Sequence, residues 1–591
     1  MKASRGAGPF LLWRHFGARI WRYHRADSVV RAHANSWTPV YLRWWAGAGP
    51  EGPPGHLVPR WLFLRALGVI YFSAFYSLLF QIRGLLGPEG LLPAGVYLEE
   101  VAKAVHGSAR FWYAPTLLWI SSSDRALLVL CWVGVVASVL LICNLWPRAM
   151  LLVCFVMFLS FVAAAQDFSG YQSDGMLLSA GFVCLFFAPR GLRPRWGESQ
   201  PPSRAALLLL QLLWFAIYFE SGIAKYFGGD PSWRNLTAMD QYYQNGPLPT
   251  WIGWYVQQLP HGFHAATVVY TLVVELLLVW MLFLPRRYRI ICYFIVTPMQ
   301  ISIILTANYA FLNYLVLALG FLLLDDEFVA RVLPKRWAEP VRENLKNRPP
   351  EPEAKAVVLD LTSRPGAPEE MMPEANRDWR AQVKLAFSAA KMWTSGLLLA
   401  WVLYASAVLM IVQVFGRLPL PPQPVTALEP FRVANSYGLF GRMTWARYEI
   451  EFQGSKDGAN WMTYPFRYKP QDVKEAPGVY APFQPRFEWN LWFASLGYWR
   501  ENPFVVRTEQ ALLENDRDVL ALFRFNPFLK EPPKYVRAVE WQYWFTDLKT
   551  KRATGNWWRR EYIGLYAPSL ERSPDGRIVV SDWPDAQPPR P

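Results

Sequence analysis

With 591 residues, 53% of them hydrophobic and 18% charged, the chain is too apolar for a soluble protein of ordinary composition, in which roughly a quarter of residues carry charge. Its formal charge of +15 does not point to nucleic acid, because Lys and Arg stand beside hydrophobic runs rather than on one basic face, and it reads as a topology signal. The five cysteines, Cys131, Cys143, Cys154, Cys184 and Cys292, lie inside apolar runs without a C-x-x-C pair, which argues against disulfide and thiol-exchange chemistry.

Residues 1–60 form a basic segment expected in the cytoplasm. The apolar start at Phe10 is broken by Arg14 and His15, so a cleavable signal peptide is not expected and the first span serves as insertion signal. Residues 10–21 fit either a helix on the membrane surface or a plain cytoplasmic helix. A bilayer core takes roughly 20 residues of helix. Nine apolar runs are candidates, at 61–81, 126–143, 149–165, 175–188, 205–219, 267–284, 290–305, 310–324 and 396–415. Alternate loops carry Arg148, then Arg190, Arg193, Arg195 and Arg204, then Arg286, Arg287 and Arg289, as cytoplasmic loops should. The opposite loops carry Asp167 and Asp174, then the polar stretch 220–266, then 307–309. Nine crossings from an inside N-terminus place the chain after residue 415 on the non-cytoplasmic side.

Residues 325–395 open with Asp325, Asp326 and Glu327 and continue through a Pro, Glu and Lys-rich stretch, which reads as a mobile cytoplasmic linker between the 61–324 bundle and the last span, 396–415. Beyond a proline-rich crossing, residues 416–591 form a soluble domain. Runs at 448–453 and 461–468 alternate like strands about a Ser455-Lys456-Asp457-Gly458 turn. Helices are predicted at 489–496 and 509–523, and strands at 535–545 and 557–565. The predicted architecture is a polytopic α-helical membrane bundle of about nine transmembrane helices with a C-terminal soluble α+β domain, β-sandwich-like.

Polar side chains at membrane depth are expensive and are therefore candidates for function. Glu275, Gln300, Ser302, Asn308 and Asn313 qualify, as do Ser221, Lys225 and Asp230 after the fifth span. Their bland role is to satisfy one another within a bundle. Lys225, a snorkelling lysine on that reading, would serve as a base if burial lowered its pKa. An enzyme would need a pocket joining Lys225, Asp230, Glu275 and Asn308. A transporter would need broken helices at the midplane, for which Gly222 and Pro298 are hints. His261 and His264 lack a third ligand at a recognised spacing, so no metal is expected, and no nucleotide or hydrolase motif suggests a cofactor. The sequon Asn235-Leu236-Thr237 matters only in a host that glycosylates.

Over residues 61–569 the sequence resembles the lipase maturation factor family. The resemblance rests on GLLGPEGLLP at 84–93, SGIAK at 221–225, GDPSWRNLTA at 229–238, PLPT at 247–250 and Asn308-Tyr309. In the C-terminal domain it rests on NSYGLF at 435–440, RMT at 442–444, the Gly454-Ser455 and Asp457-Gly458 pairs, YKP at 468–470 and QPR at 484–486. WFA at 492–494, NPF at 526–528, Pro532-Pro533 and YVRA at 535–538 extend it. Ala307, Gln471, Phe483 and Glu488 depart from the expected Gly, Gly, His and Asp, and any role for that histidine is in doubt.

The resemblance implies a multi-pass protein of the endoplasmic reticulum membrane in a eukaryote, needed by secreted dimeric lipases. In a bacterium it implies an inner-membrane protein facing the periplasm. The expected partners are the lipid bilayer and an exported client such as a lipase, which would be met by Tyr437, Phe440, Arg442, Arg486, Trp489, Trp492 and Trp557, since aromatic and Arg side chains dominate such contacts. The membrane part also looks distantly like vitamin K-dependent carboxylases around residues 222–225, which keeps a membrane enzyme as the alternative.

Overall fold

The computed structural model describes residues 55–346, 379–417 and 420–585; the helix expected at 10–21 and residues 347–378 of the expected linker lie outside them. Six helices are long and apolar enough to cross a membrane, and three shorter apolar helices accompany them. In chain order these are α1 (Leu57–Leu79), α2 (Asp124–Ile142), α3 (Pro147–Val162), α4 (Gln172–Phe187), α5 (Arg204–Phe227), α6 (His261–Leu276), α7 (Arg286–Thr306), α8 (Leu312–Gly320) and α9 (Trp379–Phe415). Helix α6 continues as a tighter turn, Leu278–Phe283. The chain is a multi-pass membrane protein.

Each helix starts and stops for local reasons. The Ser123 and Ser203 hydroxyls accept from Ala126 N and Ala206 N at the heads of α2 and α5, and Pro147 opens α3. Hydropathy alone ended the fifth span at residue 219. No breaker follows until Gly228-Gly229, where Gly229 takes a positive φ, so α5 runs on and carries Glu220, Ser221 and Lys225 inside one continuous helix. Helix α1 packs on α2, α2 on α3, α3 on α4, and α5 on both α6 and α9. Gly222 and Pro298, the two hints of broken helices, lie within the unbroken α5 and α7.

The acidic run at 325–327 is a set of joints. Asp325 caps the helix Asp326–Val332 through Phe328 N at 2.8 Å and pairs with Arg286 at 2.7 Å. Asp326 accepts from Leu57 N and Val58 N at 3.0 and 2.8 Å, capping α1. A second helix, Lys335–Lys346, follows. Residues 379–395, expected in the linker, are the first turns of α9. Its 37 residues span on the order of 55 Å, longer than a hydrocarbon core of about 30 Å.

The C-terminal domain carries one six-stranded sheet: β1 (Arg447–Ser455), β2 (Trp461–Thr463), β3 (Tyr535–Phe545), β4 (Trp558–Leu565), β5 (Ser569–Arg572) and β6 (Ile578–Asp582). Its order is β2-β1-β3-β5-β6, with β4 also paired to β3. The expected hairpin is present, Ser455 facing Trp461. Its second strand stops at Thr463 because Pro465 cannot extend the ladder. The α+β reading holds, whereas the β-sandwich-like one is corrected. Among the described residues every strand joins this one sheet, and the facing layer is helical. Helix α10 (Arg486–Ser495) packs on β1, and α11 (Pro503–Glu514) packs on β3 and β5. Buried Phe487, Leu491, Phe504 and Leu512 supply the apolar surface a second sheet would have given. Helix α11 is shorter than the predicted 509–523 helix at its end, since Asn515 turns left-handed at φ 58°.

Candidate functional site

The bundle and the C-terminal domain meet along a seam in which side chains of one hold backbone groups of the other. Residues 433–444 cross the ends of α4 and α5 as an extended strap without ladder partners of their own, and buried backbone groups must be paired somewhere. Glu220 Oε2 accepts from Tyr437 N at 2.6 Å, Ser221 Oγ accepts from Leu439 N at 3.2 Å, and Lys225 Nζ donates to Leu439 O at 2.9 Å. Trp233 Nε1 donates to Phe440 O at 3.1 Å, Asp230 Oδ2 accepts from Met443 N at 2.6 Å, and Asn245 Nδ2 donates to Thr444 O at 2.7 Å. Phe440 adopts a positive φ of 57°, which turns the strap over α5. A Cβ on Gly441 would come within 3.0 Å of the Ala224 Cβ, so the close approach suits glycine.

Lys225 and Glu275 form the buried centre of this seam. The ammonium lies 2.9 and 2.8 Å from the two carboxylate oxygens, and both side chains are almost wholly buried. Gly222 makes the pair possible, for a Cβ there would sit 2.9 Å from the Glu275 Cβ and hold α5 away from α6. The snorkelling reading of Lys225 is therefore corrected. Its stem stays in protein, its charge is paired, and Trp233 covers it at 5.3 Å.

Asn308 works elsewhere on the seam. Its amide donates to Gly478 O at 2.9 Å, and its oxygen accepts from Tyr480 N and Ala481 N at 2.7 and 3.0 Å. Within the bundle, Gln300 accepts from Asn313 at 2.8 Å and Ser302 donates to Met299 O at 2.8 Å. Only Lys225 and Glu275 of the four enzyme candidates touch. Asp230 and Asn308 bind backbone groups instead. His261 faces Asp240 at 2.9 Å, and His264 packs against Tyr243. Among the described residues no cluster of three or more His, Cys, Asp or Glu is placed to hold a metal.

The candidate client residues divide. Tyr437 is buried in the strap, and Arg486 is wholly buried, its guanidinium 2.7 and 2.8 Å from the Asp174 oxygens and 2.7 Å from Phe168 O. Trp557 is half-buried between Trp254 and Lys551. The other four, Phe440, Arg442, Trp489 and Trp492, line one cavity of about 820 Å³ between the bundle and α10. Trp489 stacks on Tyr171 at 5.3 Å with its indole N–H unpartnered, while Phe493 and Arg442 are exposed at the rim. Nearby, Glu488 accepts from the backbone of Arg467, Tyr468 and Lys469 at 2.8, 2.8 and 2.6 Å. Burial nonetheless pushes its carboxyl up to about 7.

The residues read in sequence as features of lipase maturation factors thus build the seam itself. A family profile described as the lipase maturation factor transmembrane domain matches residues 58–331, and one described as the lipase maturation factor C-terminal domain matches residues 433–568. Lipase maturation factor 2 of Gallus gallus is 31% identical over 87% of this chain and 81% of its own length. The chain belongs to the lipase maturation factor family. Lipase maturation factor 1 of Mus musculus is 29% identical over 90% of each chain, and that of Bos taurus is 29% identical over 92% of this chain and 98% of its own. No solved structure matches.

The family pattern can be read physically here. SGIAK supplies the strap acceptor Ser221, the close approach at Gly222 and the paired Lys225, while NSYGLF is the strap. Sequence reasoning missed Glu220, Asn245 and Arg447, and it read Asp174 as a carboxylate on an outward loop, where the structure buries it against Arg486. Arg447 is fully buried and donates to Gln244 O and Pro247 O at 3.0 Å each. Glu220 alone left a local signal, lying on the uninterrupted helix one residue past the apolar run.

Proposed function

We propose that this lipase maturation factor is a membrane-tethered assembly factor that helps exported lipases reach their active form. On this reading nine helices cross the bilayer and the C-terminal domain faces the non-cytoplasmic side. That side is the endoplasmic reticulum lumen in a eukaryote or the periplasm in a bacterium. Two sets of loops support the orientation. The Arg-rich loops interlock at one end, Arg148 donating to Ala188 O and Arg286 to Asp325, and the sparsely basic loops hold the C-terminal domain at the other.

The observation that carries the reading is the junction cavity, whose aromatic walls suit an apolar, extended client segment. The domain boundaries and the client role of Phe440, Arg442, Trp489 and Trp492 belong to this proposal, whereas Tyr437 and Arg486 serve it by fixing the walls.

Cells without the gene should secrete lipase of much lower specific activity at unchanged lipase synthesis, measured as extracellular activity per lipase protein. Unchanged specific activity would reject the reading. In cells that carry it, Arg442→Glu with Phe493→Ser at the exposed rim should lower lipase specific activity about tenfold, the loss typical of a central contact, while the factor itself stays at normal abundance on an immunoblot.

A further inference from the structure

Four side chains of α1, Leu62, Val69, Tyr76 and Phe80, are 39%, 48%, 44% and 57% exposed. They recur at helical spacing on one face, a stripe about 27 Å long at 1.5 Å per residue, close to a hydrocarbon core of about 30 Å. The stripe ends at a pocket of about 490 Å³ between α1 and the C-terminal domain. The domain is fastened beside it, Ser73 Oγ donating to Pro482 O at 2.8 Å and Gln81 Nε2 to Gln484 O at 2.9 Å, so the pocket lies at headgroup depth. Tyr76, Phe80, Tyr468 and Phe483 give it aromatic walls. Among the described residues its lining holds one basic side chain, Arg467, and one acidic one, Glu488. Arg467 is exposed and donates one side-chain N–H to Ala521 O at 3.2 Å, and no carboxylate pairs with it among the described residues. Glu488 lies beneath, both oxygens taken up by the N–H groups of Arg467, Tyr468 and Lys469.

We propose that this pocket binds the phosphodiester headgroup of a membrane phospholipid whose acyl chains lie along the α1 stripe. A guanidinium at headgroup depth takes a phosphate through parallel N–H donors, and Tyr and Arg side chains set their apolar parts against lipid and their polar tips at the interface. The charge selects the lipid class. A phosphodiester carries one negative charge, which the single Arg467 answers. A phosphomonoester or free phosphate, at about −1.5 to −2 near pH 7, would set its excess charge over the Glu488 carboxyl. A neutral headgroup would leave the guanidinium without its counter-charge. The volume is in the range of roughly 300–1,000 Å³ that holds small ligands, and it admits the phosphate with its glycerol while the chains remain in the bilayer.

The test uses the full-length protein in dodecyl maltoside with a photoreactive, clickable phosphatidylcholine, followed by peptide mapping. Labelling is expected within 57–80 or 461–490. It should fall at least fivefold with excess dioleoylphosphatidylcholine. It should hold with excess dioleoylglycerol, which has the same chains and no phosphate, and with inorganic phosphate, which has no chains. Arg467→Gln should cut labelling at least fivefold at normal protein yield, because the backbone N–H of residue 467 still reaches Glu488. If that variant fails to fold, Ala521→Trp, which fills the pocket from an exposed position, decides the matter and should likewise abolish labelling. Equal competition by dioleoylglycerol would mean ordinary annular lipid, and competition by inorganic phosphate would mean a free-anion site. Either result, labelling elsewhere, or full labelling of Arg467→Gln or Ala521→Trp overturns the proposal.

Discussion

Lys225→Met should sharply lower the yield of folded protein, and Lys225→Met combined with Glu275→Leu should restore most of it. The single change strands the Glu275 carboxylate, which has no water to retreat to, and removes the donor to Leu439 O. Breaking one side of a buried ion pair costs about 3–5 kcal/mol, whereas replacing both partners with apolar groups of similar volume is often neutral. A membrane protein with ordinary marginal stability cannot absorb the first loss. The measurement is the monodisperse fraction on size-exclusion chromatography in mild detergent, with the thermal midpoint of that fraction. Normal folding of Lys225→Met with lipase maturation abolished would instead show that the ammonium acts on a client or substrate, and the pair would cease to be a staple.

The same pair shows what the sequence could disclose. Intramembrane polarity marked Lys225 and Glu275 correctly as exceptional, since an unpaired charge there is expensive. It could not distinguish chemistry from architecture, because that depends on what faces the charge across space. The partner of Lys225 lies 50 positions away and that of Asp174 lies 312 away.

Periodic signals fared better because they are local. The sequence runs 535–545 and 557–565 are β3 and, within one residue, β4, as alternation and flanking turns dictate. The single sheet was not legible, because strand alternation shows that one face is covered and not whether a sheet or helices cover it. Aromatic enrichment misled in a related way. Tyr437 looked like a contact residue by type, yet it is buried in the strap, where Glu220 Oε2 accepts from its N–H at 2.6 Å. Large rings serve an internal interface for the reasons they serve an external one.

Arg486→Met should loosen the joint between α10 and α4 while the strap contacts at Glu220, Ser221, Lys225, Asp230 and Asn245 stay made. The guanidinium fills a closed socket made by Asp174, Phe168 O and the faces of Phe161 and Tyr171, at 4.7 and 5.4 Å, so Met leaves the Asp174 carboxylate buried and unanswered. The loss, again about 3–5 kcal/mol, falls on one joint. The sheet is held by the β1–β3 ladder from Arg447↔Tyr543 to Ser455↔Tyr535, and the bundle by helix contacts that do not involve Arg486. Limited proteolysis in nanodiscs should therefore gain cleavage around the start of α10, near residues 484–490, at least tenfold faster than in the unmodified chain. Asp174→Leu placed in the same chain should return the rate most of the way, since no buried charge then remains. Because α10 carries both Arg486 and Trp489, lifting that joint also opens the junction cavity. Lipase maturation should consequently fall in Arg486→Met and recover with the double substitution. Accelerated cleavage with maturation unaffected would separate the cavity from client handling.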